Sequence, residues 1–167
     1  MEDPVMVQLE HFLRESDAVE KLASVIDGLL GDLERSPRQP QAWEPLSDAF
    51  FEAPLPGGIA SCWVFALRAN GRFPSERHPN SWQRSLAIRG SALFELYEND
   101  AWQPHSIDAS GAETNSVSIP PNFWHRIAIG PDTFISLSFH TARASELIEE
   151  TCDGDDFSKT QQRLYHG

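Results

Sequence analysis

The chain has 167 residues, of which 40% are hydrophobic and 23% charged, a composition that suits one folded domain with its own core. Its formal net charge of −12 argues against nucleic acid or an anionic membrane as a partner. No apolar run approaches the roughly 20 residues of a membrane span, and the acidic residues 1–4 lack the basic segment of a signal peptide. We therefore expect a cytoplasmic protein.

Two helices are predicted at the start of the chain. The first covers residues 4–14, where apolar side chains recur at helical spacing. The second begins after Asp17, a predicted N-cap, and carries an apolar stripe to about Glu34. Residues 41–58 follow as a predicted loop. Residues 1–58 are therefore expected to form a helical extension that packs on the next part of the chain.

From residue 59 the sequence changes to short strands separated by turn residues, a pattern typical of an antiparallel barrel or sandwich. The predicted strands cover residues 59–68, 72–78, 83–89, 92–98, 104–108, 116–119, 124–129 and 134–140. Eight strands of this kind suit a double-sheet jelly roll. We predict a mainly β fold with a barrel over residues 59–141. A short helix over 143–151 and a tail are expected within residues 142–167.

Two segments carry side chains that are typical of a metal site. Glu76 and His78 stand two residues apart at the end of a predicted strand, so their side chains point to the same side. Gln83 enters the next strand after a turn, and a later double-proline turn is followed by His125. Carboxylate and imidazole groups bind first-row divalent metals. We expect Glu76, His78 and His125 to hold one divalent ion.

The first segment resembles the first motif of the cupin family, G-x5-H-x-H-x3,4-E-x6-G. In this chain it is Glu76-x-His78-x4-Gln83-x6-Gly90. The spacing fits, with Glu76 in the place of the first histidine and Gln83 in the place of the glutamate.

The second segment resembles the second cupin motif, G-x5-P-x-G-x2-H-x3-N. Here it is Pro120-x-Asn122-x2-His125. Asn122 takes the place of the turn glycine, which it can do because asparagine also adopts left-handed conformations. The resemblance covers roughly residues 58–141 and implies the cupin double-stranded β-helix, a jelly-roll barrel.

Within the cupins the chain looks most like the thiol dioxygenases, the cysteine dioxygenase group. That group has a strand ending in H-x-H and a turn like T-N-S-H, where this chain has residues 76–82. Its second metal segment is like L-H-R-V, where this chain has 124–127, and its late strand S-L-H-L-Y corresponds to 136–140. The resemblance implies a mononuclear iron that binds a thiol and O2 and oxidises sulfur to sulfinate.

Several positions depart from that group. The group's iron has three histidines, and Glu76 would replace one of them. Gln83 stands where the group has a cysteine or a glycine, and His140 where it has a tyrosine. The arginine that binds the substrate carboxylate in the group is expected upstream of the first barrel strands, and residues 44–58 contain none. From the resemblance we therefore expect the metal positions and an oxygenase activity in this chain, but not cysteine as its substrate.

The strand predicted over residues 134–140 alternates polar and apolar residues and ends at His140. If Ser136, Ser138 and His140 face the barrel, they line a cavity beside the metal. If they face water, Ile135 and its apolar neighbours fill the core instead. The sequence leaves both arrangements open.

Three functions remain compatible with these residues. The first is an Fe(II)-dependent dioxygenase of a small molecule, with Gln83 and His140 as candidate catalytic residues that orient substrate or O2. His140 could also carry a proton, because histidine titrates near neutrality. Zn, Ni or Mn would fit the same ligands.

The second compatible function is a sugar isomerase or epimerase with His140 or Glu76 as base. The third is a non-catalytic protein that binds a small ligand or metal. A homodimer is compatible with open sheet edges that need cover.

Overall fold

The computed structural model describes residues 3–111 and 114–165. Two helices open the chain as predicted, α1 (Pro4–Glu15) and α2 (Ala18–Arg35). The Asp3 carboxylate accepts a hydrogen bond from the Val5 backbone N–H at 2.9 Å and so caps α1. None of the described helices is both long and apolar enough to cross a membrane.

The described residues then form eleven strands and one further short helix. In chain order these elements are β1 (Gln41–Leu46), α3 (Asp48–Phe51), β2 (Ser61–Leu67), β3 (Ser75–Arg77), β4 (Gln83–Arg89), β5 (Ser91–Glu98), β6 (Ala101–Asp108), β7 (Ser116–Ile119), β8 (His125–Ile129), β9 (Phe134–His140), β10 (Ile148–Cys152) and β11 (Thr160–Leu164).

The strands form two antiparallel sheets. The first sheet has the order β1-β2-β9-β4-β7 and the second the order β11-β10-β3-β8-β5-β6. Apolar side chains from both sheets meet between them, among them Phe94 of β5 and Phe134 of β9. The predicted jelly roll is confirmed, and the eight strands expected between residues 59 and 141 are all present.

The prediction of a loop over residues 41–58 is wrong in its first part. Residues 41–46 form β1, which pairs with β2 along its whole length, from Gln41 opposite Leu67 to Leu46 opposite Cys62. Pro45 is tolerated because β1 lies at the edge of its sheet, where a missing N–H costs no ladder bond on the open side. The segment thus contributes a strand to the barrel.

The helix predicted over residues 143–151 is also wrong. A turn precedes β10, which pairs with β3, and β11 of the predicted tail pairs with β10. Strand pairing here overrides the local helical preference of Glu149 and Glu150, because the open edge of β3 offers partners for the backbone. In the strand, Glu149 and Cys152 are buried, whereas the acidic residues 153–156 that follow are exposed.

Both helices pack against the outer face of the first sheet. Leu22 and Ile26 of α2 share a core cluster with Val64, Leu86 and Leu137 of the sheet. Truncating one such leucine to alanine typically costs about 2–5 kcal/mol. The apolar side of β2, β9 and β4 is therefore covered by helices, which leaves the other side of the same strands free to face the barrel interior.

Replacing Asp3 by Asn should lower the free energy of unfolding by about 2 kcal/mol at pH 7. Asn can still cap α1, but it cannot form the ion pair with Arg84 of β4, whose Nε lies 2.7 Å from the Asp3 carboxylate. Burial alone would raise the pKa of Asp3, but hydrogen bonds from Ser118 and Arg84 lower it below its ordinary value.

A carboxyl group whose pKa is lower in the folded state stabilises the protein above its unfolded-state pKa and loses this effect as the pH falls through the folded-state pKa. The difference between wild type and Asp3→Asn should therefore be constant near neutrality and shrink below about pH 4. Urea unfolding at several pH values measures it. Asp27→Asn, on the exposed side of α2, is the control and should change stability by less than about 0.5 kcal/mol. A difference that stays the same down to pH 2 would contradict the ion pair.

Candidate metal centre

The structure brings the three predicted metal ligands together at the junction of β3 and β8. Glu76 and His125 are direct partners in the antiparallel pair of these strands. His78 follows β3 by one residue, and its side chain lies on the same side as Glu76. The ligand atoms of Glu76, His78 and His125 all lie within 4.8 Å of one another. One ion can therefore reach all three.

Both imidazole rings are held with Nε2 available to an ion. The Nδ1 atom of His78 lies 3.0 Å from the carbonyl oxygen of Ile148, and that of His125 lies 3.2 Å from the carbonyl oxygen of Phe123. A carbonyl oxygen only accepts, so Nδ1 carries the proton and Nε2 the lone pair in each neutral ring. The Nε2 atom of His125 is buried and has no hydrogen-bond partner among the described residues, although it lies 3.3 Å from Glu76 Oε1.

The protonation states of the pair Glu76 and His78 suit metal binding. Burial would raise the pKa of Glu76, but the close contact with the His125 ring and the nearby His78 lower it below its ordinary value. Burial lowers the pKa of His78, while the charge of Glu76 partly opposes this effect. An ionised carboxylate beside neutral imidazoles is the form in which these groups bind metals.

The turn after His78 is fixed to the C-terminal part of the chain. The Asn80 side chain donates to the carbonyl oxygen of Glu146 at 2.7 Å and accepts from the N–H of Ile148 at 3.1 Å. In the second motif, Asn122 has φ = +67°, the left-handed conformation expected of a residue in place of glycine. Its N–H donates to the carbonyl oxygen of His78 at 3.1 Å, so the two motifs are joined directly.

The three ligands line a cavity of about 150 Å³ between the sheets. One part of its wall is apolar and includes Phe65, Leu67 and Phe73. The part around the ligands is polar and includes side chains from both sheets, namely Glu76, His78, Gln83, Ser85, His125, Arg126, Ser136, Ser138, His140, Glu149, Thr151 and Arg163. The size suits a molecule of a few heavy atoms.

Gln83 and His140 lie in this cavity beside the ligands, where they were expected. They are direct partners in the pairing of β4 with β9. The rings of His140 and His78 are 4.9 Å apart and nearly perpendicular. Burial, together with the nearby His78 and His125, holds the pKa of His140 well below its usual range, so this ring is neutral. Its Nε2 atom is 3.0 Å from the hydroxyl oxygen of Ser138.

Two polar atoms of these residues remain without a hydrogen-bond partner in the described part of the chain, His140 Nδ1 and Gln83 Oε1. The Gln83 amide nitrogen donates to the hydroxyl oxygen of Ser85 at 3.2 Å. Buried polar atoms are rarely left unpaired in folded proteins. Both atoms are therefore available to a ligand in the cavity.

The two arrangements that the sequence left open for β9 are now decided. Ser136, Ser138 and His140 face the cavity, whereas Ile135 and Leu137 pack in the cluster formed with the helices. Every residue of β9 is buried, so neither side of the strand meets water.

Among the cavity residues that the sequence did not predict are Glu149, Arg163 and Tyr165. They follow the predicted barrel, in the segments assigned to a helix and a tail. The signal that could have found Glu149 is the pair of β-branched residues Ile148 and Thr151 on either side of it, which suits a strand.

Glu149 is almost completely buried, with 1% of its surface exposed. Arg163 contacts one of its oxygens, Oε1, from Nε at 3.0 Å and from Nη2 at 2.8 Å. Burial and the negative charge of Glu76 raise the pKa of Glu149 to about 7, against the opposing charge of Arg163. Burial also raises the pKa of Tyr165 well above its ordinary value, so its hydroxyl stays protonated.

No protein-family model and no curated protein sequence matches the chain. Among solved structures, the recombinant pro-11S globulin of pumpkin is similar with a TM-score of 0.53 and 18% identity, over 68% of this chain and 28% of that one. The coconut allergen cocosin is similar with a TM-score of 0.53 and 13% identity, over 68% of this chain and 29% of that one. An oxalate oxidase is similar with a TM-score of 0.50 and 14% identity, over 64% of this chain and 53% of that one. The chain thus spans under a third of the globulins and about half of the oxidase.

These structures have the cupin fold, and their likeness, at such low identity, concerns the fold alone. Together with the two sheets of the jelly roll, they establish that this chain is a cupin-fold protein. A group of residues able to hold a divalent ion lies inside its barrel.

Replacing His78 by Ala should weaken binding of Zn(II) by at least about 100-fold, because losing a direct ligand costs no less than losing an outer hydrogen-bond partner. Isothermal titration of chelator-treated protein measures the affinity, and the wild type should bind one ion per chain. His105→Ala removes an exposed histidine of β6 and should leave the affinity unchanged. Equal affinities for wild type and His78→Ala would contradict the site.

Proposed function

We propose that the protein is an oxygenase of a small molecule that uses one Fe(II) ion held by Glu76, His78 and His125. The observation that supports this most is the convergence of these three ligand atoms, within 4.8 Å of one another, on the wall of a cavity between the sheets. Two histidines and one carboxylate with open positions form the facial triad of non-haem iron oxygenases.

The residues present fit such an ion well. The buried Nε2 atom of His125 lacks a hydrogen-bond partner in the described chain, which a metal bond would supply. Each imidazole donates its other N–H to a backbone carbonyl, the usual outer support of a metal-bound histidine. Zn, Ni and Mn also bind such ligands, and Fe(II) is proposed because of the open triad and the resemblance to thiol dioxygenases.

When bound, iron would supply the activation of O2 and a binding position for the substrate sulfur. The chain's own residues have three further tasks. Glu76 contributes one negative charge that offsets part of the charge of the ion. Phe65 and Phe73 exclude water from the polar wall, which strengthens electrostatic interactions there. The neutral His140 keeps Nε2 on Ser138 and offers Nδ1 as a hydrogen-bonding atom to a ligand in the cavity.

The substrate is proposed to be a small thiol, in keeping with the resemblance of residues 76–82 and 124–127 to thiol dioxygenases and with the size of the cavity. A homodimer, a cytoplasmic location and the absence of nucleic-acid and membrane partners remain predictions from the sequence.

Oxygen uptake tests this function directly. Protein reconstituted with Fe(II) under argon, with its iron measured by plasma mass spectrometry, is mixed with 2-mercaptoethanol, 3-mercaptopropionate or 2-aminoethanethiol in an oxygen electrode. The wild type should consume O2 and form sulfinate with at least one thiol. His125→Ala should lose both iron and uptake, while His105→Ala should retain them, because His105 is exposed on β6.

Two results would oppose the proposal in different ways. Bound iron without thiol-dependent uptake would favour the non-catalytic metal-binding function. Failure to retain any added divalent metal would contradict the metal centre itself and favour a metal-free isomerase or binding protein.

A further inference from the structure

The cavity wall contains a buried carboxylate whose counter-ion lies largely in water. Glu149 has 1% of its surface exposed, whereas the Arg163 side chain that contacts it is 70% exposed. A buried carboxylate is costly unless it is paired and hydrogen-bonded. The solvated guanidinium of Arg163 offsets this cost only in part, because its charge is screened.

Half of the Glu149 carboxylate is also left for another partner. Both contacts from Arg163 end on Oε1. An ionised carboxylate has two acceptor oxygens with about four lone-pair positions. The second oxygen, Oε2, therefore retains its capacity to accept, and the Glu149 side chain lines the cavity.

Glu149 stands next to the metal centre. In the pairing of β10 with β3, Thr151 lies opposite Glu76 and Glu150 opposite Arg77. One more step along the same register places Glu149 across from His78. Side chains two residues apart share a face, so Glu149 and the ligands Glu76 and His78 face the same space.

This part of the wall offers acceptors and negative charge. Glu76 is ionised, and the buried Oε1 atom of Gln83 has no hydrogen-bond partner among the described residues. A carboxylate ligand placed here would face the ionised Glu76 and the acceptor atoms of Glu149 and Gln83, because Arg126 and Arg163 of the wall are already paired with Glu95 and Glu149. An ammonium group has three donors and no acceptor, which complements the wall.

We infer that Glu149 binds the ammonium group of a small primary amine in the cavity beside the metal centre. The charge-assisted hydrogen bond to Oε2 would hold the amine at a fixed place beside the metal ligands. The binding of the amine depends only on the cavity and not on the oxygenase reaction proposed above.

Propylammonium, 1-propanol and propionate are matched probes of nearly equal size. Each is titrated at pH 8 into the chelator-treated full-length protein, with binding followed by protein NMR. Propylammonium should bind about tenfold or more tightly than the other two, the effect of one hydrogen bond to a charged group. Glu149→Gln should remove this preference.

Glu150→Gln is the control, because it changes the same charge on the same strand. The Glu150 side chain accepts from Arg77 Nε at 2.6 Å and does not line the cavity, so the preference for propylammonium should remain. If Glu149→Gln fails to fold, the preference of the wild type for propylammonium over 1-propanol and propionate tests the inference by itself.

Equal affinity for the three probes, or a preference that survives Glu149→Gln, would overturn the inference. Tighter binding of propionate that is lost in Arg163→Gln would replace it by an anion site. The titrations use chelator-treated protein, so their results are separate from those of the oxygen-uptake experiment. If the metal centre proves wrong, amine binding should still be seen. If amine binding fails, oxygen uptake with the thiols that carry no amine should still be seen.

Discussion

The packing of α1 and α2 on the first sheet is the contact on which the rest of the structure depends. In a two-sheet barrel the apolar side of each strand normally faces inward and the polar side faces water. Here the helices cover the apolar side of β2, β9 and β4 from outside, in the cluster that includes Leu22, Ile26 and Leu137. The inward side of the same strands can therefore carry Ser138 and His140 without exposing apolar surface.

The inner face of β9 also changes character along its length. Phe134, at one end, belongs to the core between the sheets, while Ser136, Ser138 and His140 follow towards the metal centre. One end of the barrel is thus filled by apolar side chains and gives it stability, and the other encloses a polar cavity. The ends of β3 and β8 supply Glu76 and His125 to this second end.

Much of this arrangement is predictable from the sequence, because its signals are local. Alternation and turn residues give the eight barrel strands. The spacing of Glu76, His78 and His125 gives their convergence, since the first two lie at the end of a strand just before a turn and His125 begins a strand just after one. The positions of β1 and β10 are not predictable in this way: their backbones are strands because the edges of β2 and β3 are open to them. Glu149 and Arg163 were missed for the same reason, and with them the charge of the cavity.

The attachment of β11 affects how readily the cavity opens to solvent. All five of its residues are exposed, and it pairs with β10 alone at the edge of the second sheet. Segments with few buried contacts open locally at a much lower free energy than the whole fold. Fraying of β11 would carry Arg163 away from Glu149 and Tyr165 away from His78, which admits water and solutes to the interior. Local opening of this C-terminal edge would therefore give molecules a route to the cavity while the barrel itself remains folded.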